Sequence, residues 1–518
     1  MSMSEEAKVT REENSSQVYV AYSAIPYPLI SEEVGGASQD TLAELEQICG
    51  YYKVYREGKQ FTADGTKGDY TPSTLRYKLA ASLVNKEARF MFAEKPDIQI
   101  VPKADVGKVT AEAKDNLTTY NDVVNTILTK NNFESALVRG MKDCLIGKRV
   151  AWLVNFNEED GVSVTCLPST QFIYETKPGN PNIITKFVCF IIQRDSVNLN
   201  NKRIFKKKFV LEDDGVVYLE EKLYDGAGRQ IDEDITPYQA TLLNRIPVAI
   251  VLNDGLTGDE NGESEIELLA PFDQWYSKLA CGDIDAERKN MNPVVYTVDM
   301  DHKSTKNLSR SAGSYWDLIS DQNLDESSPQ VGVLESTMSY SDSLSATLDR
   351  LKTASYDQVD VPNINLETMV GSITSGKALK AIYWPLIVRC KEKMKSWGPQ
   401  IRNVVEIIIE GSKVYPNCIT QYTNQPLMPV DYEVEVIQNI PIQEDEDEEK
   451  QLDLAEVNAQ TMSRKTYMKK WRGLSDTEVQ DELQQIALER QILEEVSFPQ
   501  PGGDPYSAIN DDMEGGMV

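Results

Sequence analysis

The spacing of apolar residues divides this chain into stretches with a helical period and stretches with strand-like runs. In the first third, helices are predicted over Asp40–Lys53, Pro72–Lys95, Thr110–Lys130 and Phe133–Ile146. Thr is a common N-cap residue and Pro is common at the first position of a helix. The second helix is therefore expected to begin at Pro72, with Thr71 as its N-cap. Between Arg149 and Asn253, short apolar runs alternate with turn residues, and this pattern predicts tandem strands in antiparallel sheet.

The second half of the chain returns to helical spacing. Helices are predicted over Glu265–Asn290, Ser339–Asp357, Lys377–Lys395, Met462–Arg472 and Asp476–Glu495, and a strand over Asp431–Ile437. Pro385 should kink the third of these helices because proline removes a backbone donor, and Gly398-Pro399 should end it. The run Glu444–Glu449 is a solvated acidic block that cannot be part of a core.

The sequence GSITSGKA at Gly371–Ala378 differs from a phosphate-binding loop at one position. Gly371, Gly376 and Lys377 fit that pattern, but Ala378 stands where the loop needs the Ser or Thr hydroxyl that holds Mg²⁺. The preceding residues, VDVPNINLETMV, have the composition of a loop and not of the buried strand that a phosphate-binding loop follows. We therefore expect a flexible loop that leads into a helix.

Charge narrows the candidate functions. The chain has 53 Lys and Arg against 82 Asp and Glu, a formal net charge of −29. This excess of acid disfavours ordinary nucleic-acid binding, which needs basic patches to displace counterions, but it permits a protein that lets DNA pass without holding it. A generic solubilising surface explains the acidity equally well.

The residue types give little support for a metal or cofactor site. The seven Cys include no Cys-x-x-Cys pair and the single His is His302, so no zinc site is expected, and the thiols are interpreted as reduced. The loop Asp254–Ser264 could bind Ca²⁺, although its spacing does not match an EF-hand. No cofactor is predicted. The N-terminus shows no signal peptide and no apolar run approaches a membrane span, so no membrane association is expected.

The order of these pieces resembles the portal proteins of tailed bacteriophages, in particular the class found in siphophages of Gram-positive hosts. Four stretches carry the resemblance: ALVRGMKDCLIGKRVAWLVNFNEEDGVSVTCLPSTQFIY, IPVAIVLNDGLTGDENGESEIELLAPFDQWYSKLACGDIDAERKNMNPVVY, SGKALKAIYWPLIVRCKEK and QNIPIQEDEDEEKQLDLAEVNAQTMSRKTYMKKW. They look like the first wing strands, the first stem helix, the start of the long helix after the tunnel loop, and the Ser-x-x-Thr helix that leads to the crown.

The resemblance implies an α+β portal fold with an α/β wing, a two-helix stem, a small α/β clip, a tunnel loop with a long kinked helix, and a helical crown. These parts map to a mobile segment at 1–37, the wing at 38–262, the first stem helix at 263–291, the clip at 292–338, the second stem helix at 339–358, the tunnel loop at 359–372, the long kinked helix and wing return at 373–440, the crown at 441–495 and a disordered tail at 496–518.

The same resemblance implies a ring of about twelve subunits at one capsid vertex, the channel for double-stranded DNA in packaging and ejection. The implied partners are further copies of the chain, the terminase large subunit, a head–tail connector or adaptor, and the major capsid and scaffolding proteins. Assembly is expected in the host cytoplasm and residence in the virion. The apolar seam of Ile266, Leu269 and Tyr276 is expected to be exposed and to favour association.

Portals leave ATP hydrolysis to a separate terminase, so the chain is not expected to be an enzyme. The alternative functions are another virion structural protein, from head completion or the baseplate, and an ATPase that uses Lys377. The ATPase would need a second acidic motif after a hydrophobic strand, and no strand ending in Asp-Glu is found in the sequence.

Three sets of site residues follow from the portal assignment. The tunnel loop is expected to present to DNA the residues Pro362, Asn363, Asn365, Glu367, Thr368 and Gly371. Lys377 and Lys380 are three residues apart, so they are expected to share a face and to make transient phosphate contacts; pairing with a neighbouring subunit's carboxylates is the alternative. Tyr315 and Trp316 are expected to anchor docking at the clip, with packing in the clip's own core as the alternative.

Overall fold

A computed structural model gives the fold of the chain. The residues that it describes are 25–35, 38–62, 71–103, 111–194, 202–231, 235–256, 261–291, 294–301, 318–319, 330–334, 338–364, 376–423, 427–441, 446–473 and 476–497. They belong to two compact units, one comprising Met1–Glu367 and Ile382–Pro441 and the other Thr368–Ala381 and Ile442–Val518. Within these described ranges, no helix combines the length and the apolar character needed to span a bilayer.

Among the described residues up to Gly147, the larger unit has five helices and one strand. They are α1 (Tyr27–Val34), α2 (Ser38–Glu57), α3 (Leu79–Met91), β1 (Asp97–Pro102), α4 (Ala111–Lys130) and α5 (Phe133–Gly147). On α3, the residues Ala80, Val84, Ala88 and Met91 recur at intervals of three or four, and all are buried in the main hydrophobic core. The bounds of α2, α4 and α5 confirm the predicted helices to within a few residues.

Two antiparallel sheets follow these helices. Their strands are β2 (Arg149–Asn157), β3 (Gly161–Pro168), β4 (Phe172–Lys177), β5 (Asn180–Arg194), β6 (Lys202–Leu211), β7 (Val217–Asp225), β8 (Thr236–Ala240) and β9 (Val248–Leu252). The strand orders are β3-β2-β9 and β4-β5-β6-β7-β8, and the described pairs within them are antiparallel, which confirms the expectation. On β2, Trp152 packs in the helical core while its neighbours Ala151 and Leu153 pack with Phe172 and Phe187, so this strand is buried on both faces.

The segment 71–78 is not helical, so the predicted helix start at Pro72 is wrong. The segment is held by side chains of α6 (Glu265–Met291), which accept hydrogen bonds from its backbone. The bonds are Ser73 N–H to Asp285 Oδ1 at 3.0 Å, Tyr77 N–H to Ser277 Oγ at 3.0 Å and Leu79 N–H to Asp273 Oδ1 at 2.6 Å. Because another helix satisfies these donors, the segment stays non-helical, and α3 begins only where Asp273 accepts from its first turn.

The helix α6 is buried on the side that the sequence analysis expected to be exposed. Ile266 and Leu269 are 0% and 1% exposed in the main core, so the prediction of an open seam at these residues is wrong. Leu268 and Trp275 are exposed instead. The next elements are β10 (Val294–Val298), β11 (Gln330–Leu334) and α7 (Ser341–Asp357); β10 and β11 pair as an antiparallel ribbon.

The long helix α9 (Trp384–Val414) has no break at Gly398-Pro399, contrary to the prediction. Pro399 is exposed, whereas Trp397 and Ile401 beside it are buried. An interior proline costs about 3 kcal/mol, and burial of each large apolar side chain contributes about 1.5–3 kcal/mol, so packing keeps the helix intact. The interruption lies at Tyr383, because Pro385 takes a first-turn position that needs no backbone donor. The strand β12 (Tyr432–Ile437) then pairs with β1.

The smaller unit is helical where it is described. Its helices are α8 (Gly376–Ile382), whose last residue belongs to the larger unit, α10 (Glu446–Asn458), α11 (Arg464–Arg472) and α12 (Asp476–Ser497). Ser463 Oγ accepts the N–H of Thr466 at 3.1 Å and caps α11, and Gly473 ends it in a left-handed conformation. The Ser-x-x-Thr sequence therefore marks a helix start, as the sequence analysis indicated.

Candidate functional site

The predicted tunnel loop starts from a well-packed base at the end of α7. Tyr356, Val359 and Val361 are buried in the main core. The Val361 N–H donates to the Tyr356 carbonyl at 3.1 Å, and Asp360 takes the left-handed φ of 52°. The chain therefore turns sharply at Asp360, and Val359 and Val361, the first and third residues of the predicted loop, are buried.

A group of charged side chains, all largely buried except the half-exposed Asp254, adjoins this turn. It is termed the anchor cluster and consists of Glu87, Asp254, Glu265, Arg389 and Lys393. The Lys393 side chain is only 2% exposed, and its Nζ donates to Asp254 Oδ2 at 2.8 Å and to Glu265 Oε1 at 2.9 Å. The amide oxygen of Asn253 accepts a further bond from Nζ at 2.7 Å. Each of the three N–H bonds of the ammonium group thus has an oxygen acceptor, although the side chain is almost fully buried.

Arg389 lies one turn before Lys393 on α9 and bridges the same carboxylates. Its Nε donates to Glu87 Oε1 at 3.0 Å, and a second guanidinium nitrogen donates to Glu265. The remaining nitrogen lies 3.8 Å from Asp360 Oδ2, at the turn that leads into the predicted loop. The guanidinium is therefore held firmly by two buried carboxylates and only loosely by Asp360, whose side chain is about half exposed.

The electrostatics of the anchor cluster are set by two carboxylates buried side by side. Burial, reinforced by the nearby charge of Glu265, raises the pKa of Glu87 to about 7, and Lys393 and Arg389 offset only part of this rise. Burial alone would lower the pKa of Lys393, but the charges of Glu265 and Glu87 outweigh it and raise that pKa overall. Both cations therefore stay charged, while Glu87 is the member that titrates near neutral pH.

The anchor cluster joins four parts of the larger unit. Glu87 comes from α3, Asp254 from the loop after β9, Glu265 from the first turn of α6, and the two cations from α9. Ser264, just before α6, donates to the Ile146 carbonyl at 2.6 Å and accepts from the Ile266 N–H at 3.2 Å, which fixes the start of this helix. The ion pairs therefore connect α3, α6, α9 and the loop after β9.

The structure gives no support to a metal site. Among the described residues, no group of three or more His, Cys, Asp or Glu side chains is arranged to hold an ion. In the loop considered for Ca²⁺, the Asp254 carboxylate pairs with Lys393 instead.

The residues predicted for the DNA-facing and docking sites are described only in part. Pro362 is half-buried and Asn363 exposed, and Asn363 Nδ2 donates to Thr353 Oγ1 at 3.4 Å. Lys380 is half-buried on α8. The side chain of Lys377 lies outside the described residues, as do Tyr315, Trp316, Asn365, Glu367, Thr368 and Gly371.

The anchor cluster was not predicted, although the sequence carries a signal for it. Glu87 lies between Leu83 and Met91 on the buried stripe of α3, and Lys393 lies between Cys390 and Trp397 on the buried stripe of α9. A charge at such a position is rarely buried unless it has a partner. An acidic residue on the buried stripe of one helix and a basic residue on the buried stripe of another could therefore have predicted a contact between the two helices.

Comparison with known proteins places this geometry in a family. The sequence matches the family model described as "Phage portal protein, SPP1 Gp6-like" over residues 38–494. Among curated proteins, no sequence matches the chain. Two solved structures share 10% identity with it, each covering 77% of this chain and 90% of its own: "Virion of native gene transfer agent (GTA) particle", with a TM-score of 0.36, and "Neck of empty GTA particle computed with C6 symmetry", with a TM-score of 0.38.

The described residues form a fold of mixed α and β architecture. Because the family model covers most of the sequence, the chain belongs to the phage portal protein family. It is a portal, or connector, protein of the phage type, and its α+β fold agrees with that family. The family is structural and not enzymatic, so the near match to a phosphate-binding loop at Gly371–Ala378 does not make this chain an ATPase.

Proposed function

We propose that about twelve copies of this chain form a closed ring at one capsid vertex, and that double-stranded DNA passes through its channel in packaging and ejection. The family match over residues 38–494 carries the proposal. The ring assembles in the host cytoplasm, remains in the virion, and contacts the terminase large subunit, a head–tail connector, and the major capsid and scaffolding proteins.

Exposed apolar side chains on α6 support association between copies. Leu268 and Trp275 are seven residues apart, so they lie on one face of the helix, and they are 47% and 55% exposed. This face replaces the seam at Ile266 and Leu269 that the sequence had indicated. Large apolar side chains left in water at one stripe of a helix are typical of a surface that a second copy covers.

Imaging and mass measurement of the purified protein test the ring directly. We expect particles with an axial hole and a mass close to twelve times that of the chain. The variant Leu268→Ala with Trp275→Ala should shift the protein toward smaller species. As a control, Leu242→Ala removes a leucine that is 66% exposed on another part of the unit, and it should leave the ring unchanged. A strictly monomeric protein at micromolar concentration would contradict the proposal.

In the proposed ring, the segment after Val361 lines the narrowest part of the channel, and Lys377 and Lys380 guide DNA by weak phosphate contacts. The polar residue types of the segment and the two lysines at the start of α8 support this role. Lys377→Glu with Lys380→Glu should leave rings intact and lower the amount of DNA packaged. Normal packaging by this variant would reject the guiding role, and Lys391→Glu on the exposed side of α9 serves as the control.

The proposed clip, around β10 and β11, docks the terminase and later the connector through Tyr315 and Trp316. Aromatic residues dominate binding hot spots, and this is the support for choosing them. Trp316→Ala should weaken connector binding, measured by co-sedimentation with preformed rings, without dissolving the rings. Loss of the rings themselves would show that Trp316 packs the clip core instead.

A further inference from the structure

The helices α10, α11 and α12 bury few apolar side chains among themselves. Among the side chains that the structure describes in these helices, the buried apolar ones are Met468 and Val479. Leu483 and Ile486 follow Val479 on α12 at intervals of four and three, yet both are only half-buried. Short helices depend on packing of an apolar face for most of their stability, so these three gain little from one another.

The helix α10 turns an acidic residue inward and leucines outward. Asp453 is only 7% exposed, and its Oδ2 accepts the Trp471 indole N–H at 2.8 Å and pairs with Lys470 at 2.7 Å, both on α11. On either side of it in the sequence, Leu452 and Leu454 are 62% and 46% exposed. The contacts of Asp453 therefore set an orientation that leaves both leucines in water.

The two leucines lie on opposite flanks of α10. Successive residues of a helix are about 100° apart, so Leu452 and Leu454 lie to either side of the inward Asp453. Ala455 and Ala459 follow Leu452 at intervals of three and four, and both are exposed. Apolar flanks that a helix does not bury in its own unit are typical of a surface that packs against further helices.

The outer side of α12 carries a third exposed leucine. Leu488 lies nine residues after the buried Val479, which places it on the opposite side of the helix, and it is 59% exposed. The helix α11 contacts both of the others, through Trp471 to α10 and through Arg472 to Glu482 of α12 at 3.0 Å. Both α10 and α12 therefore expose leucine on sides that α11 does not cover.

We propose that the exposed leucines of α10 and α12 pack against the same three helices of the neighbouring copies on either side. This rests on the proposed ring, in which every copy has two neighbours, and the two apolar flanks of α10 match that arrangement. Helices with so small a core of their own need a permanent partner, and adjacent copies in a ring are permanently in contact. DNA is a poor partner, because leucine side chains offer no donor to a phosphate.

Photo-crosslinking in rings of mixed isotope composition tests this contact. A diazirine analogue of leucine replaces Leu452 in one preparation and Leu454 in another, and equal amounts of unlabelled and ¹⁵N-labelled chain are combined before assembly. After irradiation, each position should be joined to residues within 450–489, with about half of the products carrying one light and one heavy peptide. Products of a single isotope only would place the contact within one copy and overturn the proposal.

A matched pair of variants gives a second measurement. Leu452 is exposed in a single chain, so Leu452→Glu should change the stability of a lone copy very little. In the ring, it should instead speed up hydrogen exchange along α11 and α12 severalfold. Gln451→Glu adds the same charge at the adjacent exposed position and should leave that exchange unchanged. Equal exchange in the two variants would contradict the proposal.

The remaining outcomes separate this proposal from the proposed function. Intact rings that give no product between copies at either position would overturn the packing of these helices and leave the ring standing. Crosslinks in whole virions to a capsid or scaffolding protein, in place of a second copy, would assign the leucines to that protein. Absence of rings in the unmodified protein would overturn the proposed function itself, and this proposal with it.

Discussion

Two ion clusters in the larger unit differ in their ratio of carboxylates to cations. The sheet cluster, defined as Glu33, Lys186, Lys206 and Lys208, sets one buried carboxylate of α1 against three lysines of the five-stranded sheet. The anchor cluster sets two buried carboxylates, Glu87 and Glu265, against two cations of α9. One carboxylate shared by several cations stays ionised, whereas two carboxylates together resist ionisation.

The two clusters respond to pH in opposite directions. Burial alone would raise the pKa of Glu33, but hydrogen bonds and charge from Lys206 and Lys208 outweigh it and lower that pKa below 4.5. A lowered pKa means that the cluster's stabilisation is present above pH 4.5 and is lost as the pH falls through the folded value. The pKa of Glu87 is raised from 4.5 to about 7, so the stability tied to its protonated form is present below 4.5 and is lost as the pH rises through 7.

The largest expected effect comes from removing the central cation of the anchor cluster. Lys393→Met leaves Glu87 and Glu265 buried beside each other with Arg389 alone, and breaking a buried pair in this way costs about 3–5 kcal/mol. Hydrogen exchange in the assembled protein should speed up along α3 and the first turns of α6. Lys391→Met, an exposed lysine of the same helix, is the control. Equal exchange in both variants would show that the cluster does not hold these helices.

Removing the central carboxylate of the sheet cluster should have a smaller effect, because a second carboxylate, Glu32, lies beside the same lysine. Glu33→Gln removes the shared charge, but Glu32 remains 3.2 Å from Lys206. The loss should be about 2 kcal/mol, in the range for hydrogen bonds to charged groups. Its signature is local: exchange should quicken in α1, which packs Leu29 and Ile30 against the sheet.

The same experiment has a close control. Glu32→Gln removes the neighbouring carboxylate, which is about half exposed and makes one ion pair with Lys206. It should change exchange in α1 far less than Glu33→Gln does. Comparable effects from the two substitutions would indicate that Glu32 carries as much of the attachment as Glu33.

A third prediction concerns the pH response of Glu87. Between pH 5 and 8, exchange protection in α3, corrected for intrinsic rates, should fall in the unmodified protein, by no more than about 1.4 kcal/mol per pH unit for one titrating group. Glu87→Gln should flatten this fall. Burial also raises the pKa of Asp273, which accepts from the first turn of α3, to about 6, so the difference between the two proteins isolates Glu87. Parallel pH profiles would refute the assignment.

These clusters also mark the limit of what the sequence could predict. The antiparallel strands and the helices α2, α4 and α5 follow from periodicity, which depends on neighbouring residues only. The non-helical segment 71–78 could not be predicted in this way, because its backbone donors Ser73 and Tyr77 bond to Asp285 and Ser277, about 200 residues away. The helix through Pro399 was mispredicted for a related reason, since burial in the main core decides it.

The site was predictable to a smaller extent than the fold. Pro362 and the Asn residues near it are typical loop residues, so the sequence predicted a loop here, and the structure describes a left-handed turn at Asp360 among its first residues. It gave no indication that Arg389 lies beside that turn. Contacts between charges from four separate elements depend on the tertiary fold. In the sequence, only the charged residues Glu87 and Lys393 at otherwise apolar positions of their helices indicated such contacts.

The smallest expected effect tests whether the anchor cluster positions the predicted tunnel loop. Asp360→Asn removes the charge that faces Arg389 at 3.8 Å and keeps the left-handed turn, because Asn tolerates this conformation as well as Asp. An ion pair that is half exposed contributes less than about 1 kcal/mol, so global stability and the ring should be unchanged. Exchange at Val361, Asn363 and Ile364 should nevertheless quicken severalfold. Asp357→Asn, an exposed carboxylate three residues earlier, controls for the change of charge. If both variants leave these residues equally protected, buried Val359 and Val361 alone fix the loop base, and the anchor cluster serves only α3, α6 and α9.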